Sequence, residues 1–308
     1  MKIGIIGLGA IGERLIKILI EHKRIHIKSI YDIDEKKMNT ITSTYKLNPV
    51  MNYHEMIDDP EIDLIYIAVP PKYHHDLALE VIGKKHILCE KPLAGTIEEA
   101  KAMYLATLDN KFINGMNFPL FYGAAYKRIK EYLSENKLGR ILRLELKGFF
   151  PIWPRYWQIN NWIDSRDEGG FTREVFTHFI QLMQSEFGRI ENINSKVAYT
   201  DANKSERSII ATAEIGDIDV VFNGLVGINQ PEDLRWSIIG EKGSIELINW
   251  DKLEIQLGED RKKIELEPNV STTNLFNALH DAIDGKSNEL VSFEDGYHAT
   301  CVVESLLL

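Results

Sequence analysis

The sequence predicts an α/β protein in two parts. A doubly wound parallel sheet occupies residues 1–120, and a second α/β domain with a largely antiparallel open sheet occupies 121–308. Three observations carry this reading. Short, almost continuously apolar segments alternate with helical patterns as far as about Asn117. After Phe118-Pro119 the grammar changes to strict alternation, as in Leu142, Leu144 and Leu146 against Arg143, Glu145 and Lys147. The length, 308 residues, also exceeds one ordinary compact core.

The first apolar run, Lys2 to Gly7, leads into Gly7-Leu8-Gly9-Ala10-Ile11-Gly12, after which Leu15, Ile16, Leu19 and Ile20 continue at helical spacing. A G-x-G-x-x-G between a strand and a helix is a dinucleotide-binding turn. Gly7 permits the tight turn, Gly9 lets the backbone approach a pyrophosphate and Gly12 allows close helix packing, with Leu8, Ala10 and Ile11 completing the binding turn. The second strand, Ile25 to Tyr31, ends at Asp32, about twenty residues past the last motif glycine. A carboxylate there accepts hydrogen bonds from ribose hydroxyls and repels a 2′-phosphate. Ile33 follows where an arginine would suit a phosphate, so NAD is expected. Lys36 and Lys37 leave NADP open.

A third run, Leu64 to Val69, ends in Pro70-Pro71-Lys72-Tyr73-His74-His75. Val69, Pro70 and His74 are expected to border the cofactor, although either histidine could equally be a loop or capping residue. Next comes Ile87-Leu88-Cys89, which Pro92 prevents from continuing as a strand. Glu90 is counted with the cofactor-binding residues. Lys91, at the carboxyl end of a parallel strand, points into the crevice where such sheets bind ligands, and its ammonium suits polarisation of a substrate oxygen. Read locally, Glu90 and Lys91 are also compatible with an ordinary surface pair. Thr96-Ile97-Glu98-Glu99 has the pattern of a capped helix start.

In the second half, a helix is expected from about Tyr122 to Asn136. Strands are expected at Ser208–Ile215, Ile218–Leu225, Arg235–Ile239, Ser244–Ile248 and Leu253–Leu257. Residues 151–170 form a long aromatic loop with Trp153, Pro154, Arg155, Tyr156, Trp157, Asn161, Trp162 and Arg166, holding three of the chain's five tryptophans. It reads either as a wall for a small molecule or as a loop stapled down by its own rings. Gly169-Gly170 opens a helix from Phe171 to about Phe187, on which Glu174, His178 and Gln181 share one stripe. A carboxylate four residues before a histidine can fix the imidazole's tautomer. No third ligand at metal spacing accompanies them, so no metal site is expected.

Net charge is −10. That disfavours nucleic acid and anionic membrane surfaces as partners, and no apolar run is long enough for a membrane span. Two distant cysteines, Cys89 and Cys301, make no disulfide framework, so a reduced, cytoplasmic protein is expected.

Taken together, the glycine turn, Pro70-Pro71-Lys72-Tyr73-His74, Glu90-Lys91-Pro92, Gly169-Gly170 with His178, and the late Ile239-Gly240…Gly243-Ser244 turn resemble the Gfo/Idh/MocA family over nearly the whole chain. The closing segment, from Asn274 through Ser292-Phe293-Glu294-Asp295-Gly296 into the last helix, resembles that family's ending. The resemblance implies a Rossmann domain followed by an open-sheet α/β domain, an NAD(P) cofactor and oxidoreductase chemistry. Lys91 and His178 would be the catalytic pair. The chain departs from the family pattern in two places: Glu174 stands where most members carry aspartate, and Met116-Asn117-Phe118-Pro119 lacks the usual arginine.

The expected activity is hydride transfer between nicotinamide and a small hydroxyl or carbonyl substrate such as a sugar or polyol derivative. His178 would be the general base, Lys91 the donor to the same oxygen and Glu174 the orienting carboxylate. Trp153, Arg155, Trp162 and Arg173 are candidate substrate contacts. A second reading is reduction of an imine or conjugated double bond, with Arg155, Arg166 or Arg173 holding a carboxylate. A third is a non-catalytic NAD-sensing regulator. The open sheet face is expected to be covered in a homodimer or homotetramer.

Overall fold

The computed structural model describes every residue except Ile159 and Asn161; the part of the aromatic loop assigned to Asn161 therefore lies outside the described residues. The chain divides into two compact units.

The first unit comprises Met1–Pro119 and Val270–Tyr297. Its elements are β1 (Lys2–Ile6), α1 (Ala10–Leu19), β2 (His26–Tyr31), α2 (Glu35–Tyr45), α3 (His54–Asp58), β3 (Leu64–Ile67), α4 (His74–Val81), β4 (His86–Glu90), α5 (Ile97–Thr107) and β5 (Asn114–Asn117). The five strands form an all-parallel sheet in the order β2-β1-β3-β4-β5. Each short apolar run lies in this sheet because helices cover both its faces, and β3 is buried at all four residues. Thr96 caps α5 by accepting from Glu99 N at 3.2 Å.

A division at residue 120 misses one exchange: Val270–Tyr297 belongs with the first unit. It is bound there by specific contacts. Met116 N donates to Val291 O at 2.8 Å, Phe293 N to Asn114 Oδ1 at 2.7 Å, and Arg24 pairs with Asp281 at 2.9 Å. The segment thus meets the free edge of β5.

The second unit comprises Leu120–Asn269 and His298–Leu308. It holds α6 (Ala124–Ser134), β6 (Ile141–Phe150), α7 (Thr177–Phe187), β7 (Glu191–Tyr199), β8 (Glu206–Ile215), β9 (Ile218–Val226), β10 (Asp233–Gly240), β11 (Gly243–Ile248), β12 (Lys252–Leu257) and β13 (Asp260–Ile264). The remaining helices of the chain are α8 (Ser271–Ile283) and α9 (Phe293–Leu307). The eight strands run β13-β12-β11-β10-β6-β9-β8-β7, antiparallel except for β6 beside β9. One face buries Leu144, Leu146, Phe150, Ile209, Ala211, Val220, Phe222, Trp236 and Leu247. On the neighbouring strands β6 and β9 the paired glycines Gly148 and Gly224 leave room for the rings of Phe176 and Phe171, which a Cβ at either position would strike.

Two strands escaped the sequence reading, β7 and β13, and they are the two sheet edges. No residue of β7 is fully buried and four of the five in β13 are exposed. Neither needs the apolar alternation that marks an interior strand. The helix expected from Phe171 is present, but Thr172–Phe176 forms a π turn before α7 begins. A wider turn breaks the 3.6-residue period that placed Glu174 and His178 on one stripe.

Candidate active-site elements

In the first unit the crevice position follows from sheet order. Direction reverses between β1 and β3, and ligands bind outside the carboxyl ends of strands at that point. Gly7, Val69-Pro70 and Lys91 sit just past the carboxyl ends of β1, β3 and β4.

The glycine turn has the shape a pyrophosphate needs. Gly7 has φ +98°, and a Cβ there would lie 2.6 Å from the Ala68 carbonyl carbon. A Cβ on Gly9 would meet no atom within 4 Å, so the backbone there is open to a ligand. One on Gly12 would strike the Gly7 carbonyl. Leu8 is buried, whereas Ala10 and Ile11 are exposed at the start of α1. Asp32 closes the turn from the side. Its Oδ2 accepts from Leu8 N at 2.7 Å and its Oδ1 from Asp34 N at 2.9 Å. Each oxygen keeps a lone pair for a ribose hydroxyl. Lys37 Nζ stands 3.9 Å from Asp32 Oδ2, and Ile33 is 84% exposed.

His74 departs from the expected role. Its side chain is fully buried, with Nδ1 2.9 Å from Pro92 O and Nε2 2.9 Å from Val69 O. The ring ties the end of β3 to the end of β4 and is shielded from any ligand. Burial lowers its pKa, with the two carbonyls pulling the other way.

Glu90 is likewise closed off. It is 8% exposed, and the Tyr66 hydroxyl and Asn117 Nδ2 (2.5 Å) both donate to its Oε1. Burial raises the Glu90 carboxyl pKa, while both donors and Lys91 oppose the rise. Burial also pushes Tyr66 well above its ordinary value, with the neighbouring carboxylate adding to the effect. This trio anchors the backbone that presents Lys91. Its local signal is a tyrosine inside an otherwise aliphatic strand.

In the second unit, Glu174 lies on the π turn and is half-buried, and His178 is buried in the first turn of α7. Gln181, one turn on, donates to Ser185 Oγ at 2.8 Å. A buried carboxylate fastens the start of this helix. Glu206 accepts from Thr172 N at 2.7 Å, directly under Gly170, where a Cβ would collide with its carboxylate. Burial raises the Glu206 pKa against the pull of Thr172 and Arg173.

Two expected substrate contacts are corrected. Arg173 makes a bidentate pair with Glu304 at 2.7 and 2.8 Å, and donates to the carbonyls of Arg166 and Gly169 at 2.7 and 3.0 Å. Those bonds occupy its guanidinium fork. Trp153 is 9% exposed, and its Nε1 donates to Ile163 O at 3.2 Å, which makes it a staple of the aromatic loop. Arg155 pairs with Glu232 at 2.7 and 2.8 Å and lies 5.1–5.9 Å from the rings of Phe150, Trp153, Trp157 and Trp250. Trp162 remains half-buried. Among the described residues one group has metal-ligand spacing, His280, Asp281 and Asp284, and Arg24 and Lys286 already neutralise it.

The switch-point crevice and glycine turn define a dinucleotide-binding α/β unit, joined in one chain to an open mixed-sheet unit. Known proteins agree with that class. Residues 1–116 match the description "Oxidoreductase family, NAD-binding Rossmann fold", and residues 126–246 match "GFO/IDH/MocA C-terminal domain". A 1,5-anhydro-D-fructose reductase of Ensifer adhaerens is 34% identical over 261 residues, 80% of this chain and 77% of that protein. A levoglucosan dehydrogenase of Pseudarthrobacter phenanthrenivorans is 31% identical over 156 residues, 48% of this chain and 39% of that protein. A solved structure titled levoglucosan dehydrogenase in complex with NADH and levoglucosan superposes with a TM-score of 0.87 at 19% identity, covering 99% of this chain and 95% of the other. The chain belongs to the Gfo/Idh/MocA family of oxidoreductases. It is an NAD(P)-dependent dehydrogenase or reductase whose first unit binds the dinucleotide.

Proposed function

We propose that the enzyme transfers hydride between NAD and the hydroxyl-bearing carbon of a sugar or polyol derivative, or runs the same step in reverse. The observation that carries this reading is family membership, together with relatives named for levoglucosan and 1,5-anhydro-D-fructose. Bound nicotinamide supplies the hydride acceptor or donor. The chain's own residues supply binding and proton handling. The open backbone at Gly9 cradles the pyrophosphate, and Asp32 accepts from the ribose hydroxyls, favouring NAD over NADP.

Lys91 donates to the substrate oxygen and stabilises its developing negative charge, while His178 takes the hydroxyl proton. Glu174, one carbon longer than the family's usual aspartate, orients the imidazole or a substrate hydroxyl. The rival reading, a carboxylate-bearing imine substrate, loses support because Arg155 and Arg173 are already paired with Glu232 and Glu304. A regulator without turnover would need neither Lys91 nor His178.

The open face of the eight-stranded sheet exposes Ile210 at 63%, which suits a second copy of the chain as its cover. A homodimer or homotetramer in light scattering would agree, and a monomer would refute it. A cytoplasmic setting suits the free cysteines Cys89 and Cys301. The test of activity is a screen of levoglucosan, inositols and hexoses with NAD⁺, of 1,5-anhydro-D-fructose with NADH, and of cyclic imino acids with NADH. Turnover of a polyol or sugar supports the proposal. Turnover confined to the imino acids overturns it.

A further inference from the structure

The hairpin joining β11 to β12 turns through Asn249, Trp250 and Asp251. Both Asn249 (φ +46°) and Trp250 (φ +76°) are left-handed. Tight hairpin turns with two positive φ values favour asparagine followed by glycine. Asn249 fits: its N donates to Leu234 O at 2.9 Å and its Oδ1 accepts from Leu234 N at 3.1 Å, fixing the turn against β10. Trp250 does not fit. A bulky residue in that region is strained, and glycine would make the same turn without penalty.

The strain places the indole. The rings of Trp250 and His178 lie 5.6 Å apart at 82°, edge to face, and Phe179 packs on Trp250 at 5.6 Å. The guanidinium of Arg155, itself held by Glu232, lies 5.9 Å from the Trp250 ring. The indole is thus held by three groups, one of which is the imidazole assigned above as general base. Nothing in the turn requires a tryptophan, and its own backbone opposes one.

We propose that Trp250 is a positioning residue for the reaction, fixing the orientation of the His178 ring from a strained turn. This rests on the reading of His178 as general base, and the test separates the two. Trp250→Gly, Trp250→Phe and His178→Ala are assayed with the fastest polyol or sugar found in the screen. For Trp250→Gly the expected result is a fall in kcat of about tenfold or more, NADH affinity within about twofold of wild type, and a melting temperature unchanged or raised. The acid limb of the kcat profile should also move. Trp250→Phe should recover most of the rate, since a ring remains. If His178→Ala is severely impaired while Trp250→Gly keeps its rate, the positioning role is wrong and the general-base reading survives. If His178→Ala turns over normally, the general-base reading fails and the positioning role fails with it. A Trp250→Gly protein whose activity falls only in step with lost stability also overturns the proposal.

Discussion

Removing Arg173 separates two accounts of the same residue. As a substrate clamp it would be dispensable to folding. As the structure has it, the guanidinium makes four hydrogen bonds, two to Glu304 and two to backbone carbonyls, with 11% of its side chain and 21% of that of Glu304 exposed. Burial that deep leaves little solvent screening. Arg173→Ala strands the Glu304 carboxylate and two carbonyls, a loss of about 3–5 kcal/mol. At about 2–4 °C per kcal/mol, the melting temperature should fall by roughly 6–20 °C. Arg173→Lys, which keeps the charge without the fork, should fall between. Calorimetry on the two variants, with KM measured alongside, decides the matter. An unchanged melting temperature with a large rise in substrate KM would refute the structural role and restore Arg173 as a ligand.

Further outcomes follow from the same reasoning. Asp32→Ser should weaken NADH binding by about tenfold, or about 1.4 kcal/mol, and narrow its margin over NADPH in tryptophan-quenching titrations; unchanged preference would mean that Asp32 does not select the cofactor. His74→Ala should cost about 2–4 kcal/mol in urea unfolding, because a fully buried ring and the hydrogen bond its one N–H donates to the Val69 or Pro92 carbonyl are lost; intact stability with weaker NADH binding would favour the ligand role. The pKa of Glu206 is raised in the folded state, so the native protein holds the extra proton and the contribution of this group to stability is lost as pH rises above the unfolded carboxyl value. Wild type should therefore lose stability relative to Glu206→Gln as pH rises above about 4.5, with a slope of at most about 1.4 kcal/mol per pH unit; a widening advantage of wild type with rising pH would reverse that sign.

The parallel sheet was legible because burial on both faces leaves unbroken apolar runs, and the glycine turn because its backbone geometry permits few residues. Interior strands of the second sheet showed by alternation. The edge strands β7 and β13 did not, since a wet edge can be polar throughout. Neither the π turn under Glu174 nor the return of residues 270–297 to the first unit has a local signal. The partners of the arginines carry no local signal either. Arg173 and Arg155 look available in sequence, and only tertiary structure brings Glu304 and Glu232 to them. His74 and Trp153 show the same limit, since total burial of a polar or aromatic side chain is set by neighbours remote in the chain.

The reaction scheme is tested most directly by following a single turnover in stopped flow, with NADH absorbance as the signal, for wild type, Lys91→Ala and His178→Ala. Each substitution should slow hydride transfer by about 10²-fold or more, with NADH dissociation constants within about threefold of wild type. Near-normal transfer in either variant would contradict the assignment of that side chain to the reacting oxygen.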